Sequence, residues 1–139
     1  MIGLLFTLFA IFISVNANAS ELRGVVSHVR DGDTIEVENI PIRLNGVSAP
    51  ELDEPLGQAS KTYMQELVLG KSVYCELNGE KTYDRFVGIC YLNDKDIGIS
   101  VIQAGLAIDC PRFSNGVYAE YETIEATQAI MLPKYCRRK

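Results

Sequence analysis

Positive charge is in short supply in this chain: 13 Lys and Arg stand against 18 Asp and Glu, a net charge of -5. A molecule of that sign meets phosphates slowly and offers no broad, sequence-independent footprint for a polyanion, although a local basic cleft can still hold a short segment. Any anion site is therefore expected to be small. Histidine is scarcer still. His28 is the only one, which excludes a histidine pair for catalysis or metal binding, and it reads as a half-exposed spacer in a strand. No C-x-x-C spacing occurs among Cys75, Cys90, Cys110 and Cys136, which sets a zinc centre well behind disulfides. Internal repeats and low-complexity stretches are also missing.

Charge of either sign is absent from the first 19 residues, MIGLLFTLFAIFISVNANA. The apolar run from Ile2 to Val15, followed by Ala17 and Ala19 at alternate positions, has the pattern of a secretory signal peptide. It is shorter than the ~20 residues a spanning helix needs, so an uncleaved anchor is the weaker alternative. The expectation is a signal peptide over 1–19 and a single domain over 20–139, periplasmic or secreted, with no stable membrane association once the signal is removed. Four cysteines behind an export signal read as two disulfides. Three pairings are possible. Preferred are Cys75 with Cys90, in two apolar runs that read as adjacent strands, and Cys110 with Cys136, which would tie down the C-terminal tail.

What the chain does have is β-branched patterning punctuated by turns. LRGVVSHVR, TIEVEN and IPIRL read as a three-stranded meander with tight reversals, the first at Asp31-Gly32. Leu56, Ala59, Tyr63 and Leu67 recur at helical spacing, which predicts an amphipathic helix from Leu56 to Leu69 that stops at Gly70. SVYCEL and FVGICYL are two more strands, joined by NGEKTYDR as a long loop. Asp96 caps a second helix that ends at Gly105, and a third is predicted from Val117 to Met131, before Pro133. This order predicts an α+β fold: a five-stranded barrel of the oligonucleotide-binding (OB) type decorated by three helices.

Three loops concentrate reactive side chains: Asp31 and Asp33 in DGDT, Arg43 with Glu51 across RLNGVSAPE, and Tyr83 with Arg85 in TYDR. Phosphodiester hydrolysis needs a group that activates water, positive charge to meet the charge developing on phosphorus, and usually a cation that orients the phosphate. Glu51 is the candidate base. Arg43 and Arg85 suit the charge, because guanidinium forks bind phosphate oxygens in pairs and stay protonated. Asp33 offers a hard oxygen to a cation such as calcium, whereas Asp31 with Gly32 reads as a turn former, the glycine tolerating positive φ. Arg43 lies in an apolar strand, so it must reach solvent or meet a carboxylate such as Glu51. Phe113 and the terminal Arg137-Arg138-Lys139 run can attract a base or phosphate, but read as satellite core and a solvated tail.

VVSHVRDGDTIEVENIPIRLNGVSAPE, then YDRFVGICYL, then DIGISVIQAGLA resembles the staphylococcal-nuclease-like, or thermonuclease, family. The resemblance covers about Leu22 to Met131. It implies that Asp33 is a calcium ligand, joined by Ser48 and the Ala49 carbonyl, that Glu51 is the general base, and that Arg43 and Arg85 bind phosphate. It implies that Tyr83 borders the nucleotide pocket. It also implies DNA and RNA as substrates and products with 3′-phosphate ends; a small site that must reach individual phosphates favours single-stranded DNA or RNA over intact duplex, and the chain is expected to be a monomer. In two places the chain departs from the pattern. Ser48 stands where many members have an aspartate, and a hydroxyl is the poorer calcium ligand. Asp84 stands where glycine is common, and is expected to pair with Arg85 and compete for it. The rival from another class is a non-catalytic barrel that binds nucleic acid or another polyanion without cutting it.

Overall fold

The computed structural model describes residues 20–139; the expected signal peptide lies outside the described residues. Five strands form a ring: β1 (Ser20–Asp31), β2 (Thr34–Val37), β3 (Ile40–Leu44), β5 (Ser72–Thr82) and β6 (Arg85–Leu92). Neighbours pair antiparallel in the order β3-β2-β1-β5-β6, and a parallel pairing of β3 with β6 closes the circle. Closure removes the exposed edges a five-stranded sheet would otherwise carry. Two-residue strands β4 (Val47–Ser48) and β8 (Ile108–Asp109) pair with each other outside the ring, and β7 (Lys95–Asp96) extends β6. This is the expected OB barrel, with four α-helices among the described residues where three were predicted.

Inward residues alternate as a pleated strand requires. Val73, Cys75 and Leu77 of β5 are buried, as are Ile35 and Val37 of β2 and Ile42 and Leu44 of β3. In β1 the two fully inward residues, Val26 and Val29, lie three apart, because a register shift between Val26 and His28 inserts an extra residue against β2. The β2–β3 reversal uses Glu38 and Asn39, both at positive φ (48° and 64°), which matches the twist of the flanking strands. His28 is exposed.

Helix α1 (Gly57–Val68) covers β1 with Gly57, Ser60, Met64 and Val68. That stripe lies beside the predicted one: Ala59 and Leu56 are exposed, and Tyr63 and Leu67 pack only at its margin. Small residues are needed here because the β1–β2 turn approaches closely. A Cβ on Gly32 would run into Ser60 and Ala49. Gly32 is therefore required for this approach; it is not among the positive-φ glycines.

Asp96 caps α2 (Ile97–Gln103) by accepting the Gly98 N–H at 2.7 Å, and its other oxygen takes the Tyr118 hydroxyl at 2.7 Å. The predicted third helix is broken instead. Its span, Val117–Met131, holds a 3-10 turn at Ala119–Tyr121 and α4 (Ile124–Ala129), and a short helix that was not predicted, α3 (Pro111–Ser114), precedes it. Asn115 and Gly116 take left-handed φ, and the Thr123 side chain starts a new helix by accepting the Ala126 N–H. Both disulfides form as preferred, Cys75–Cys90 between paired positions of β5 and β6 and Cys110–Cys136 onto the C-terminal segment.

Candidate active site

Barrel closure assembles the site. Asp31, Asp33, Arg43, Glu51, Tyr83 and Arg85 all line one cavity of about 720 Å³. The ends of β1 and β2 supply the aspartates, and β3 supplies Arg43. Arg85 opens β6, the strand whose parallel pairing with β3 sets Val87 against Arg43. Glu51 comes from the loop before α1. A side chain on Gly57 would collide with the Glu51 carbonyl, so the start of α1 lies directly against the backbone that carries this carboxylate.

Asp33 is the hub of the buried side. Its Oδ2 accepts the Ala49 N–H at 2.9 Å and faces Arg43 Nη2 at 3.3 Å, and its Oδ1 accepts the Thr34 hydroxyl at 3.1 Å. Burial pushes the Asp33 carboxyl up to about 7, against the pull of the Arg43 guanidinium. Asp31 builds the turn as expected, its Oδ1 accepting the Asp33 N–H at 3.0 Å. Arg43 thus meets Asp33 in place of Glu51, and its Nη1 donates to the Leu44 carbonyl at 2.7 Å.

Arg85 Nη1 donates to Thr34 Oγ1 at 3.2 Å and its Nε to the Thr82 carbonyl at 3.3 Å. Thr34 therefore links the Asp33 carboxylate to Arg85. The sequence reading passed over it, although it is the last letter of DGDT. Asp84 does not pair with Arg85. Both its oxygens are taken by Arg30 of β1, at 3.0 and 2.7 Å, while Arg30 Nε holds Glu36 at 3.0 Å. That guanidinium holds the Asp84 carboxyl below its usual range. Two-residue reversal at Tyr83 and Asp84 leaves Tyr83 at φ 56° and 93% exposed, with the Arg85 guanidinium 5.7 Å from its ring centre.

Glu51 is exposed, and its carboxylate enters no hydrogen bond or ion pair among the described residues. Its environment is that of a group open to water. Ser48 is buried in β4, and Ala49 turns its N–H to Asp33. Among the described residues no group of three or more His, Cys, Asp or Glu side chains gathers closely enough to hold an ion. The donor type still fits a hard divalent cation at Asp33, one that would complete its shell from phosphate and water. Phe113 and Tyr135 also line the cavity; the first was read as satellite core and the second was not singled out.

Residues 41–129 match the model of the family described as staphylococcal nuclease homologue. This range takes in Arg43, Ser48, Ala49, Glu51, Tyr83 and Arg85. The chain is 35% identical over 124 residues to the succinoglycan biosynthesis protein ExoI of Rhizobium meliloti, covering 81% of this chain and 65% of that protein. An uncharacterized endonuclease of Haemophilus influenzae is 29% identical over 118 residues, with 81% and 66% covered. A probable staphylococcal-like nuclease of rice, CAN2, is 33% identical over 75 residues, or 54% of this chain and 20% of that protein. The chain thus spans 65% and 66% of the length of the first two relatives.

Proposed function

The chain belongs to the family of staphylococcal nuclease homologues, and on that premise we propose that it hydrolyses phosphodiester bonds of DNA or RNA outside the cytoplasm. The observation that carries the reading is the single cavity shared by Glu51, Arg43, Arg85 and Asp33. Arg43 and Arg85 bind the scissile phosphate with guanidinium donors that project from neighbouring strands, and meet the charge that grows on its oxygens. Glu51, open to water, takes a proton from the attacking water as its oxygen bonds to phosphorus. The bond to the 5′ oxygen breaks, that oxygen takes a proton from solvent, and a 3′-phosphate end remains. A calcium ion at Asp33, when bound, polarises the phosphate and orients the water.

Two disulfides support an oxidising compartment and so the exported location. Among the described residues no helix is long and apolar enough to cross a membrane. A non-cutting binding module draws its support from Ser48, whose neutral hydroxyl stands where many members of the family have a carboxylate. A carboxylate open to water in an arginine-lined cavity favours the enzyme, since binding a polyanion has no use for Glu51.

The test is cleavage of fluorescent single-stranded DNA and RNA by the disulfide-intact protein, with calcium or excess chelator, beside Glu51→Gln. Calcium-dependent cutting, reduced at least ~100-fold in the variant as expected for loss of a general base, supports the nuclease. Binding without cutting in any divalent metal replaces it with the binding module.

A further inference from the structure

The two arginines of the cavity are held in different ways. Arg43 faces the Asp33 carboxylate at 3.3 Å. Arg85 has no carboxylate partner among the described residues, where the ion pairs belong to Arg30 and Arg43. Two neutral acceptors hold it instead: its Nη1 donates to Thr34 Oγ1 at 3.2 Å and its Nε to the Thr82 carbonyl at 3.3 Å. Its Nη2 donates to no protein atom among the described residues. A long side chain with no fixed partner loses rotamer freedom when it meets a ligand. A carboxylate would fix it as well, but would take up the charge that a phosphate must find. A neutral acceptor fixes the guanidinium and leaves that charge in place.

Thr34 is suited to this work by its own surroundings. It is 1% exposed. Its backbone is paired on both sides, with Asp31 of β1 and with Arg43 of β3. Its hydroxyl has one proton to give and two lone pairs to offer. Arg85 can only donate, so the proton goes the other way, to Asp33 Oδ1 at 3.1 Å. The row Arg85, Thr34, Asp33 therefore has one direction of donation. Turning the hydroxyl away from Arg85 would also take the donor from the buried Asp33 oxygen, which is costly.

We propose that Thr34 is the positioning residue for Arg85: its hydroxyl, oriented by Asp33, aims the guanidinium into the cavity with its charge left for the phosphate of the bound strand. The inference rests on the proposed polynucleotide substrate and adds the group that sets the strength of one of its two arginine contacts. Thr34 touches no reacting atom and acts through Arg85 alone.

Binding of a fluorescent oligothymidylate is measured in excess chelator, which reads the arginine contact apart from cutting and from calcium. Thr34→Val keeps a β-branched residue at the buried position and removes the hydroxyl; it is expected to weaken binding about fivefold, as loss of a hydrogen bond to a charged group does. Thr34→Ala lacks the hydroxyl too and is expected to match it. Thr34→Ser keeps the hydroxyl and is expected to bind within about twofold of wild type. In an Arg85→Ala background Thr34→Val is expected to cost nothing more, because the two changes remove one contact. Thermal melts verify that each variant is folded. Valine and alanine variants that bind as wild type overturn the proposal, as does a serine variant as weak as Thr34→Val. A valine effect of equal size with and without Arg85 also overturns it, and makes Thr34 a structural residue only. A wild-type protein that binds no oligothymidylate takes Arg85 out of phosphate binding, and the proposal with it. A wild-type protein that cuts neither DNA nor RNA in calcium, yet loses binding on Thr34→Val only when Arg85 is present, sinks the nuclease reading and leaves the role of Thr34 standing.

Discussion

Asp33 carries the most conflict of any residue in the molecule. It is buried, its charge is favoured by the Arg43 guanidinium and the Ala49 N–H, and desolvation still raises its carboxyl to about 7. A carboxylate held this way gains from a cation and costs stability without one. Asp33→Asn removes that carboxylate and leaves the largely buried Arg43 guanidinium without its ion-pair partner, so the variant is expected to melt below wild type in chelator. Calcium should raise the melting temperature of the wild type and not of the variant, because only the carboxylate offers differential affinity for the ion. Thermal melts with and without calcium decide it; equal calcium shifts in both proteins would remove Asp33 from the metal site. Arg43 illustrates the limit of the sequence argument. That it must meet a carboxylate followed from the cost of burying a lone guanidinium, but which carboxylate depended on strand register, and it is Asp33.

The β5–β6 hairpin is the element whose behaviour differs most from expectation. NGEKTYDR was predicted to be a long loop; instead β5 runs on to Thr82 and only Tyr83 and Asp84 make the turn. Lys81 pairs with Phe86 and Thr82 with Arg85 beyond a register shift after Leu77, so the polar sequence is strand whose side chains face water. The tip is fixed to β1 by the two-pronged Arg30–Asp84 bond. Asp84 touches no reacting group in the proposed mechanism, so it is a positioning residue for Arg85 and Tyr83. Asp84→Ala is expected to raise KM about three- to tenfold while leaving kcat near wild type, consistent with lost ground-state positioning. Arg30→Asp with Asp84→Arg should restore KM. The sign of the pH effect follows from the lowered Asp84 carboxyl: the clamp is complete above the usual carboxylate range and is lost only as pH falls below that range, through the lowered value. Steady-state kinetics of the two variants is the check, and a collapse of kcat in Asp84→Ala would give Asp84 a different role.

At the scale of the whole molecule, a chain of net charge -5 carries a cavity lined by two arginines, Arg43 and Arg85. Few counterions are displaced by such a contact. With one phosphate held by both arginines, the slope of log K against log salt for a single strand is expected to be about -0.7. A titration of oligonucleotide binding from low to high salt measures it. A slope of about -4 or steeper would mean that an extended basic surface takes part, which the net charge of -5 argues against.

The strands of the ring, the caps at Asp96 and the turn at Asp31 were legible in the sequence because each rests on local physics: alternation with a period of two, a side chain that satisfies a nearby N–H, an aspartate that bonds two residues on. The fragments DGDT, RLNGVSAPE and TYDR were legible as reactive loops for the same reason. Where the chain failed to follow its pattern, the cause was not local. The third helix broke at Glu122 and Thr123, both extended, where the chain brings Glu122 against the Asp109 N–H at 3.1 Å. Asp84 chose Arg30 over its neighbour Arg85 because strand pairing carries the hairpin tip to β1. Only tertiary structure could set Arg43 beside Asp33, join Thr34 to Arg85 and bring Tyr135 to the cavity. The first depends on the β2–β3 register that pairs Thr34 with Arg43, the others on the parallel closure of β3 on β6 or on the Cys110–Cys136 tether. Those contacts join residues far apart in the chain, and their partners are selected by packing rather than by the residues next to them.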